Sequence, residues 1–244
     1  MKKAIIAIFA VAVIVVVAVV CVNIFSNNTN QSEVGENTND SLVSKNENTI
    51  SNNEINQTVK NNNEQENEKT STNSKNLVVI FSRADENYRV GDVEKGNTMF
   101  LAEYIKEELN ADLFEIVPTN KYPADYDECT KVAQEELRNN ARPTYNGDVQ
   151  NFEEYDNIFL GYPIWWGDLP MCCYTFIESH DFKGKNVYIF NTHEGSGNAG
   201  TAGSLKSKLS SANVNTDYLA MTGTSARETN AKSQVQSWLQ KLGF

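Results

Sequence analysis

The chain has 244 residues, a net charge of −11, four cysteines and two histidines. An excess of acidic residues argues against nucleic acid or an anionic membrane surface as a partner, because both repel negative charge. Four cysteines are too few for a disulfide scaffold, and no cluster of cysteine and histidine has the spacing of metal ligands.

Residues 1–25 form an apolar amino-terminal segment. Every residue from Ala4 to Val22 is apolar, and Lys2 and Lys3 precede this run. About 20 apolar residues can cross a bilayer. The long core favours a retained membrane anchor, with a cleaved signal peptide or lipid attachment at Cys21 as alternatives. Because the basic residues precede the span, we expect a single-pass protein of the cell membrane whose remaining chain is extracytoplasmic.

Residues 26–76 differ in composition from the rest of the chain. Sixteen of these 51 residues are asparagine, none is aromatic, and no apolar periodicity is present. Such a segment buries too little apolar surface to offset its ordering entropy. We therefore expect a disordered linker between the anchor and a folded domain at residues 77–244.

Residues 77–244 carry the patterns of an α/β domain and a net charge of −9. Short runs rich in β-branched residues alternate with amphipathic segments, which favours a parallel sheet covered by helices on both faces. The predicted strands are 77–81, 112–117, 156–162, 186–191 and 216–221. The predicted helices are 98–109, 125–139, 170–180, 201–209 and 231–242. At this size the doubly wound order 2-1-3-4-5 is expected, with a ligand crevice at its switch point.

The segment after the first predicted strand ends in Lys95-Gly96-Asn97-Thr98 and leads into a helix. A helix amino terminus offers unpaired N–H groups and the positive end of a dipole, so it can bind a phosphate group. Ser82, Asn97 and Thr98 can add side-chain donors. The alternative is an ordinary helix cap formed by Asn97 or Thr98.

The loop after the third predicted strand contains two adjacent tryptophans, Trp165 and Trp166, between Pro163 and Pro170. A tryptophan exposed on a loop needs a flat apolar surface to cover it. We therefore expect at least one of the two to stack on a flat aromatic ligand, for which a flavin is the leading candidate. The alternative is that both tryptophans belong to the core.

The segment after the fourth predicted strand reads Thr192-His-Glu-Gly-Ser-Gly197. Glycines after a parallel strand often mark a place where the backbone approaches a ligand, although a flexible turn is the alternative. Ser196 does not lie in a Gly-x-Ser-x-Gly motif, so we do not expect a hydrolase nucleophile there.

Together these loops resemble those of flavodoxins, over residues 77–244. The resemblance implies a flavodoxin-like fold that binds FMN, with Ser82-Arg83 and Gly96-Asn97-Thr98 as the two ends of the phosphate loop. An insertion of about eleven residues, 84–95, separates those ends, and its Arg89 and Lys95 are expected near the phosphate or over the site. The implied flavin-binding residues are Pro163, Ile164, Trp165, Trp166 and Gly167, and Thr192, His193, Gly195, Ser196 and Gly197.

The resemblance implies electron transfer, because no side chain is predicted as a general acid or base for a substrate. The expected partner is a redox protein with a basic docking surface. One alternative is an FMN-dependent NAD(P)H:quinone or azo-compound reductase, in which His193 helps to protonate the substrate. Another is a non-catalytic ligand-binding module on the same fold, which the 84–95 insertion would favour.

Overall fold

A parallel β-sheet with helices on both faces forms the centre of the structure, a computed structural model that describes residues 74–244. The predicted anchor, residues 1–25, and nearly all of the predicted linker lie outside the described residues. Within 74–244 no helix is both long enough and apolar enough to cross a membrane.

The strands are β1 (Asn76–Ile80), β2 (Asp85–Asn87), β3 (Gly91–Val93), β4 (Asp112–Glu115), β5 (Val117–Pro118), β6 (Tyr145–Asn146), β7 (Asn157–Pro163), β8 (Asn186–His193), β9 (Asn213–Val214) and β10 (Leu219–Thr222). The helices are α1 (Asn97–Leu109), α2 (Tyr126–Arg138), α3 (Met171–Ser179), α4 (Thr201–Lys208), α5 (Gly223–Ala226) and α6 (Ala231–Leu242), with a 3₁₀ turn at Phe152–Glu154.

The main sheet has the order β10-β8-β7-β1-β4, and all of its strand pairs are parallel. This is the predicted order 2-1-3-4-5 read from the other edge, so the α/β fold class and the sheet order are confirmed. The fifth strand differs from the prediction because it is split. β9 pairs with the start of β8 and β10 pairs with its end.

Two apolar cores lie on the two faces of the sheet. Alternate residues of β1 enter opposite cores, as the two-residue period of a strand requires. Leu77 and Val79 belong to the core that also contains residues of α2, α3 and α4, whereas Val78 and Ile80 belong to the core that contains residues of α1 and α6. Cys129, Cys172 and Cys173 are buried free thiols in the first core.

Four asparagines form a ladder at the amino edge of the sheet. Asn76, Asn157, Asn186 and Asn213 occupy the same level of β1, β7, β8 and β9. The side-chain amide nitrogens of Asn157, Asn186 and Asn213 each donate to the amide oxygen of the preceding strand's asparagine, at 2.8, 2.9 and 3.3 Å. A slip of register between any two neighbouring strands would break one of these hydrogen bonds, so the ladder helps to fix the strand pairing.

A carboxylate joins three parts of the first face. Glu178 at the end of α3 lies 2.6 Å from Arg142 Nε and 2.6 Å from Lys208 Nζ. Hydrogen bonds from Arg142 and then Lys208 lower the pKa of Glu178 to about 2. An acid whose pKa is lowered by folding stabilises the folded state above its unfolded pKa, and this contribution disappears as the pH falls through the folded pKa.

We therefore expect the free energy of unfolding to decrease as the pH falls from 4.5 toward 2, and Glu178→Gln to flatten part of that decrease. Urea unfolding of the wild-type and variant proteins at several pH values measures the effect. Glu153→Gln, on an exposed residue for which no such pair exists in residues 74–244, is the control. Identical pH profiles of Glu178→Gln and wild type would contradict the expectation.

Candidate functional site

The carboxyl ends of β1, β7 and β8 meet at one edge of the sheet, where the three predicted loops begin. A buried hydrogen bond of 2.7 Å joins Thr98 Oγ1 of the first loop to Thr192 Oγ1 of the third. Ile164 N of the second loop donates to the carbonyl oxygen of Thr192 at 2.8 Å. The structure therefore brings all three predicted segments together.

The two ends of the first loop, which residues 84–95 separate in the sequence, lie next to each other in the structure. A Cβ atom added to Gly96 would lie well under 3.0 Å from Ser82 Oγ and from the Arg83 carbonyl oxygen. Ser82 Oγ also accepts a hydrogen bond from Met99 N at 3.1 Å, in the first turn of α1. The two ends of the predicted pattern, Ser82-Arg83 and Gly96-Asn97-Thr98, are thus in contact despite the residues between them.

The amino terminus of α1 has no capping side chain of its own. Gly96 is its N-cap residue, and Ser82 Oγ accepts a hydrogen bond from Met99 N from outside the helix. The first amides of a helix have no partner within the helix. Asn97 and Thr98 are both buried at this terminus, so their amide groups lie in a place where water is restricted. The prediction of an ordinary side-chain cap by Asn97 or Thr98 is therefore not what the structure shows.

An arginine that the sequence did not indicate holds this loop. Arg227, just after α5, donates from Nε to Asn97 Oδ1 at 2.6 Å and from Nη2 to the Lys95 carbonyl oxygen. Burial lowers the pKa of Arg227, but from a value so high that the guanidinium stays charged. The only sequence signal was its place after the fifth strand, at the same edge of the sheet as the other loops.

Glu194 connects the third loop to the amino terminus of α5. Its Oε1 accepts a hydrogen bond from Gly223 N at 3.0 Å. A Cβ atom on Gly223 would lie under 3.0 Å from both Asn97 Nδ2 and Glu194 Oε1. The loop after the fifth strand therefore packs against the first and third loops. It is the fourth segment that lines the crevice.

The 84–95 insertion forms a β-hairpin, in which β2 and β3 pair in antiparallel fashion. At one end Glu86 Oε2 accepts a hydrogen bond from Tyr126 N at 2.9 Å, at the start of α2. At the other end Arg89 Nε lies 3.6 Å from Glu194 Oε2. The hairpin thus reaches from the α2 side of the site to the third loop.

Arg83 donates hydrogen bonds that hold this hairpin in place. Its two terminal nitrogens donate to the carbonyl oxygens of Glu86, Pro123 and Ala124. The residue is only 9% exposed. The guanidinium group that was predicted to bind the phosphate therefore contacts three carbonyl oxygens that anchor the insertion. Lys95, which was also expected near the phosphate, pairs with Glu103 at 2.6 Å.

The two tryptophans have different surroundings. Trp165 meets the rings of Phe81 and Tyr122 edge-on, with centroids 5.3 and 5.0 Å away. Trp166 is 54% exposed, has a left-handed φ of 52°, and donates from Nε1 to the Thr130 carbonyl oxygen at 2.9 Å. Trp165 therefore packs against the core and is half-buried, and Trp166 is the more exposed of the two.

A sequence model of the flavodoxin family, Flavodoxin_4, matches residues 92–242, which is more than half of the chain. The chain belongs to the flavodoxin family. The resemblance noted from the loops is thereby confirmed, and the family supports FMN as the cofactor.

Solved structures agree with a flavodoxin fold. A protein described as a flavoprotein from Bacteroides eggerthii is 28% identical, covers 70% of this chain and 99% of its own, and gives a TM-score of 0.56. A second from Bacteroides uniformis is 26% identical over 68% and 98%, with a TM-score of 0.54. A flavoprotein from Lactobacillus acidophilus, solved in complex with FMN, is 20% identical over 68% and 99%, with a TM-score of 0.48. No curated protein matches the chain.

The third loop of this flavodoxin begins two residues later than predicted, because β8 extends through Thr192 and His193. Gly195 N donates to His193 Nδ1 at 3.0 Å, so the Nε2 atom carries the proton of the neutral ring. Burial lowers the pKa of His193. The imidazole is therefore neutral at physiological pH. Gly195 and Gly197 have positive φ, as a tight turn requires, and Ser196 lies between them.

The residues present fit FMN. The phosphate group matches the amino terminus of α1, where Ser82 and Thr98 add hydroxyl groups. Gly96 leaves no space for a side chain between that terminus and Ser82, so the backbone itself forms the cradle. Pro163 and Gly167 frame the tryptophan turn, in which Trp165 and Asp168 exchange backbone hydrogen bonds of 2.8 and 3.0 Å.

Proposed function

We propose that this flavodoxin domain binds FMN and transfers electrons to or from a protein partner. The observation that carries the proposal is the convergence of four loops on the amino terminus of α1, with Gly96 pressed against Ser82. Bound FMN would supply one- and two-electron redox chemistry. The chain's own contribution is to hold and orient the cofactor.

Each group has a separate part in that task. The amides of Asn97 and Thr98, with Ser82, hold the phosphate group. Arg227 keeps the Lys95–Asn97 backbone in place from the other side. Neutral His193 offers an N–H donor from Nε2 without adding a charge to the crevice. Trp166 provides an exposed aromatic face at the edge of the site.

The proposed partner is a redox protein with a basic docking surface, since the domain carries a net charge of −9. We also propose that residues 1–25 anchor the chain in the cell membrane and that residues 26–76 act as a tether, so that the domain works outside the cytoplasm. The composition of both segments supports this arrangement.

A second candidate is an FMN-dependent NAD(P)H:quinone or azo-compound reductase. It is favoured by a cavity on the α2 side of the tryptophan turn, which Ile164, Trp165 and Trp166 line together with residues of α2, and by His193, which can give a proton from Nε2. A steady-state assay with NAD(P)H and a quinone separates the two functions, because a carrier turns over slowly without its protein partner and a reductase does not need one.

An absorption spectrum of the full-length protein, before and after addition of FMN and removal of the excess, tests cofactor binding. We expect structured flavin bands and quenched flavin fluorescence, because an aromatic side chain in contact with the ring quenches it. A control protein with Gly203→Ala, at a glycine with open space around it, should behave as wild type. A colourless protein that leaves the fluorescence of FMN unchanged would instead favour the non-catalytic binding module.

A further inference from the structure

The 84–95 hairpin is attached to the α2 side of the site by several contacts. The Arg83 guanidinium donates to three carbonyl oxygens at its base. The Glu86 carboxylate accepts a hydrogen bond from Tyr126 N at 2.9 Å, and the ring of Tyr88 stacks on the ring of Tyr126 with centroids 5.8 Å apart. The base of the hairpin and its α2 side are therefore held by hydrogen bonds and by ring stacking.

An exposed ion pair ties the tip of the hairpin to the third loop. Arg89 Nε lies 3.6 Å from Glu194 Oε2, and the Arg89 side chain is 63% exposed. This distance is longer than a hydrogen bond, so the attraction is mainly one between charges. Water and salt screen such a pair, and exposed pairs change an equilibrium constant by at most about fivefold. The tip is therefore held more weakly than the base.

The ion pair also closes a ring of contacts that borders the amino terminus of α1. The carboxylate of Glu194 accepts a hydrogen bond from Gly223 N at 3.0 Å. Arg227, which follows in the same segment, donates to the carbonyl oxygen of Lys95. Lys95 is the last residue of the insertion, so the ring returns to the hairpin. The pair between Arg89 and Glu194 is the longest of these contacts, and Arg89 is the most exposed member.

We propose that the hairpin is a strap over the crevice, which opens at the contact between Arg89 and Glu194 and thereby sets how fast FMN enters and leaves. This inference rests on the proposed binding of FMN at the amino terminus of α1. The base of the hairpin stays attached when the tip moves, because only the ion pair has to break. The pair joins two side chains of the protein rather than the protein to its cofactor, so its loss raises the association and dissociation rates together.

A strap and a direct ligand of FMN differ in their kinetic effects. A side chain that contacts the cofactor changes mainly the dissociation rate, and with it the Kd. A strap that must open for entry and for exit changes both rates by the same factor and leaves the Kd nearly constant. Removal of an exposed ion pair should raise both rates about two- to fivefold.

Stopped-flow fluorescence of the full-length protein measures both rates, from the loss of flavin fluorescence on binding and its recovery after dilution. Arg89→Gln removes one charge of the pair. Glu194→Gln removes the other and keeps an amide oxygen that can accept from Gly223 N. The double variant completes the cycle. Lys121→Gln is the matched control, because it removes the same charge from an exposed pair, 3.1 Å from Asp85 at the base of the hairpin.

We expect both rates to rise about two- to fivefold in each single variant, no further rise in the double variant, and no change in Lys121→Gln. Hydrogen exchange of residues 85–95 in the absence of FMN should be faster in the same three variants and unchanged in the control. The proposal is overturned if only the dissociation rate changes, if the effects of the two substitutions multiply, or if the control raises both rates equally.

A failure of the proposed flavin site has a different result, because wild type would then bind no FMN. Hydrogen exchange alone then tests whether the ion pair holds the hairpin. Faster exchange of residues 85–95 in Arg89→Gln than in wild type supports the strap, and equal exchange overturns it.

Discussion

Replacing Gly96 by alanine is expected to abolish tight FMN binding and to destabilise the domain. The new Cβ would approach both Ser82 Oγ and the Arg83 carbonyl oxygen to well under 3.0 Å, and the second of these is backbone that cannot rotate away. Forcing an extra carbon into a packed place costs about 1–3 kcal/mol. The movement also displaces the α1 amides, and a hydrogen bond to a charged group contributes about 1.5–3 kcal/mol, so we expect the Kd for FMN to rise about 10- to 100-fold.

Gly203→Ala is the matched control for this substitution. Gly203 lies within α4, and a Cβ added to it would meet open space. Alanine in a helix is favoured over glycine by up to about 1 kcal/mol, so this variant should be as stable as wild type or more stable. Flavin fluorescence titrations and urea unfolding of both variants give the measurement. Equal FMN affinities for Gly96→Ala and wild type would show that the loop does not hold the phosphate group.

Arg227→Met is expected to weaken FMN binding. This effect does not require Arg227 to contact the cofactor. The guanidinium donates to the Lys95 carbonyl oxygen and to Asn97 Oδ1, and both acceptors lose their partner in the variant. An acceptor left without a partner costs about 1–3 kcal/mol when it is buried. We expect a loss of stability in that range and about a tenfold increase in the Kd for FMN, because the loop is no longer held in one conformation. Urea unfolding and flavin fluorescence titration measure the two effects.

Two further variants separate the geometry of Arg227 from its charge. Arg227→Lys keeps the charge but lacks the planar fork, so it should recover little of the affinity. Lys232→Met removes the same charge from an exposed ion pair with Glu107 on the same face, and such pairs contribute at most about 1 kcal/mol. The loop-holding role would be wrong if Lys232→Met weakened FMN as much as Arg227→Met, since a general effect of charge would then explain both.

The sheet could be predicted from the sequence because each strand has a recognisable pattern of apolar residues within a few neighbouring positions. The alternation of Leu77, Val78, Val79 and Ile80 between two cores is typical of a central strand, and the strand–helix rhythm leaves few possible orders. The placement of the three loops at one edge of the sheet followed from that topology. The split of the fifth strand did not, because Asn215 and Asp217 interrupt it through a local turn, with 2.8 Å between the Asn215 side chain and the Asp217 amide.

The missing parts of the site depend on contacts between residues far apart in the chain. Arg227 meets Lys95 and Asn97 only because α5 turns back over the α1 terminus, and no local pattern reports that turn. The hairpin strands have three residues each without an apolar alternation, and the contacts of Glu86 in β2 and of Arg89 in the turn are made with residues far away in the chain. Arg83 was assigned to the phosphate by its position next to Ser82, but its side chain is directed to the hairpin instead.

The asparagine ladder determines how the domain resists a mechanical load. The chain enters the sheet at Asn76, the first residue of the central strand β1, which has hydrogen-bonded strands on both sides. A pull on the amino end along β1 therefore loads both neighbouring strands in shear, so that many hydrogen bonds must break together. Two side-chain bonds lie at this point of entry, one from Lys75 Nζ to Glu154 Oε2 and one from Asn157 Nδ2 to Asn76 Oδ1. Forced unfolding follows the unfolding rate rather than the equilibrium stability, so we expect these bonds to affect the mechanical lifetime more than the free energy of folding.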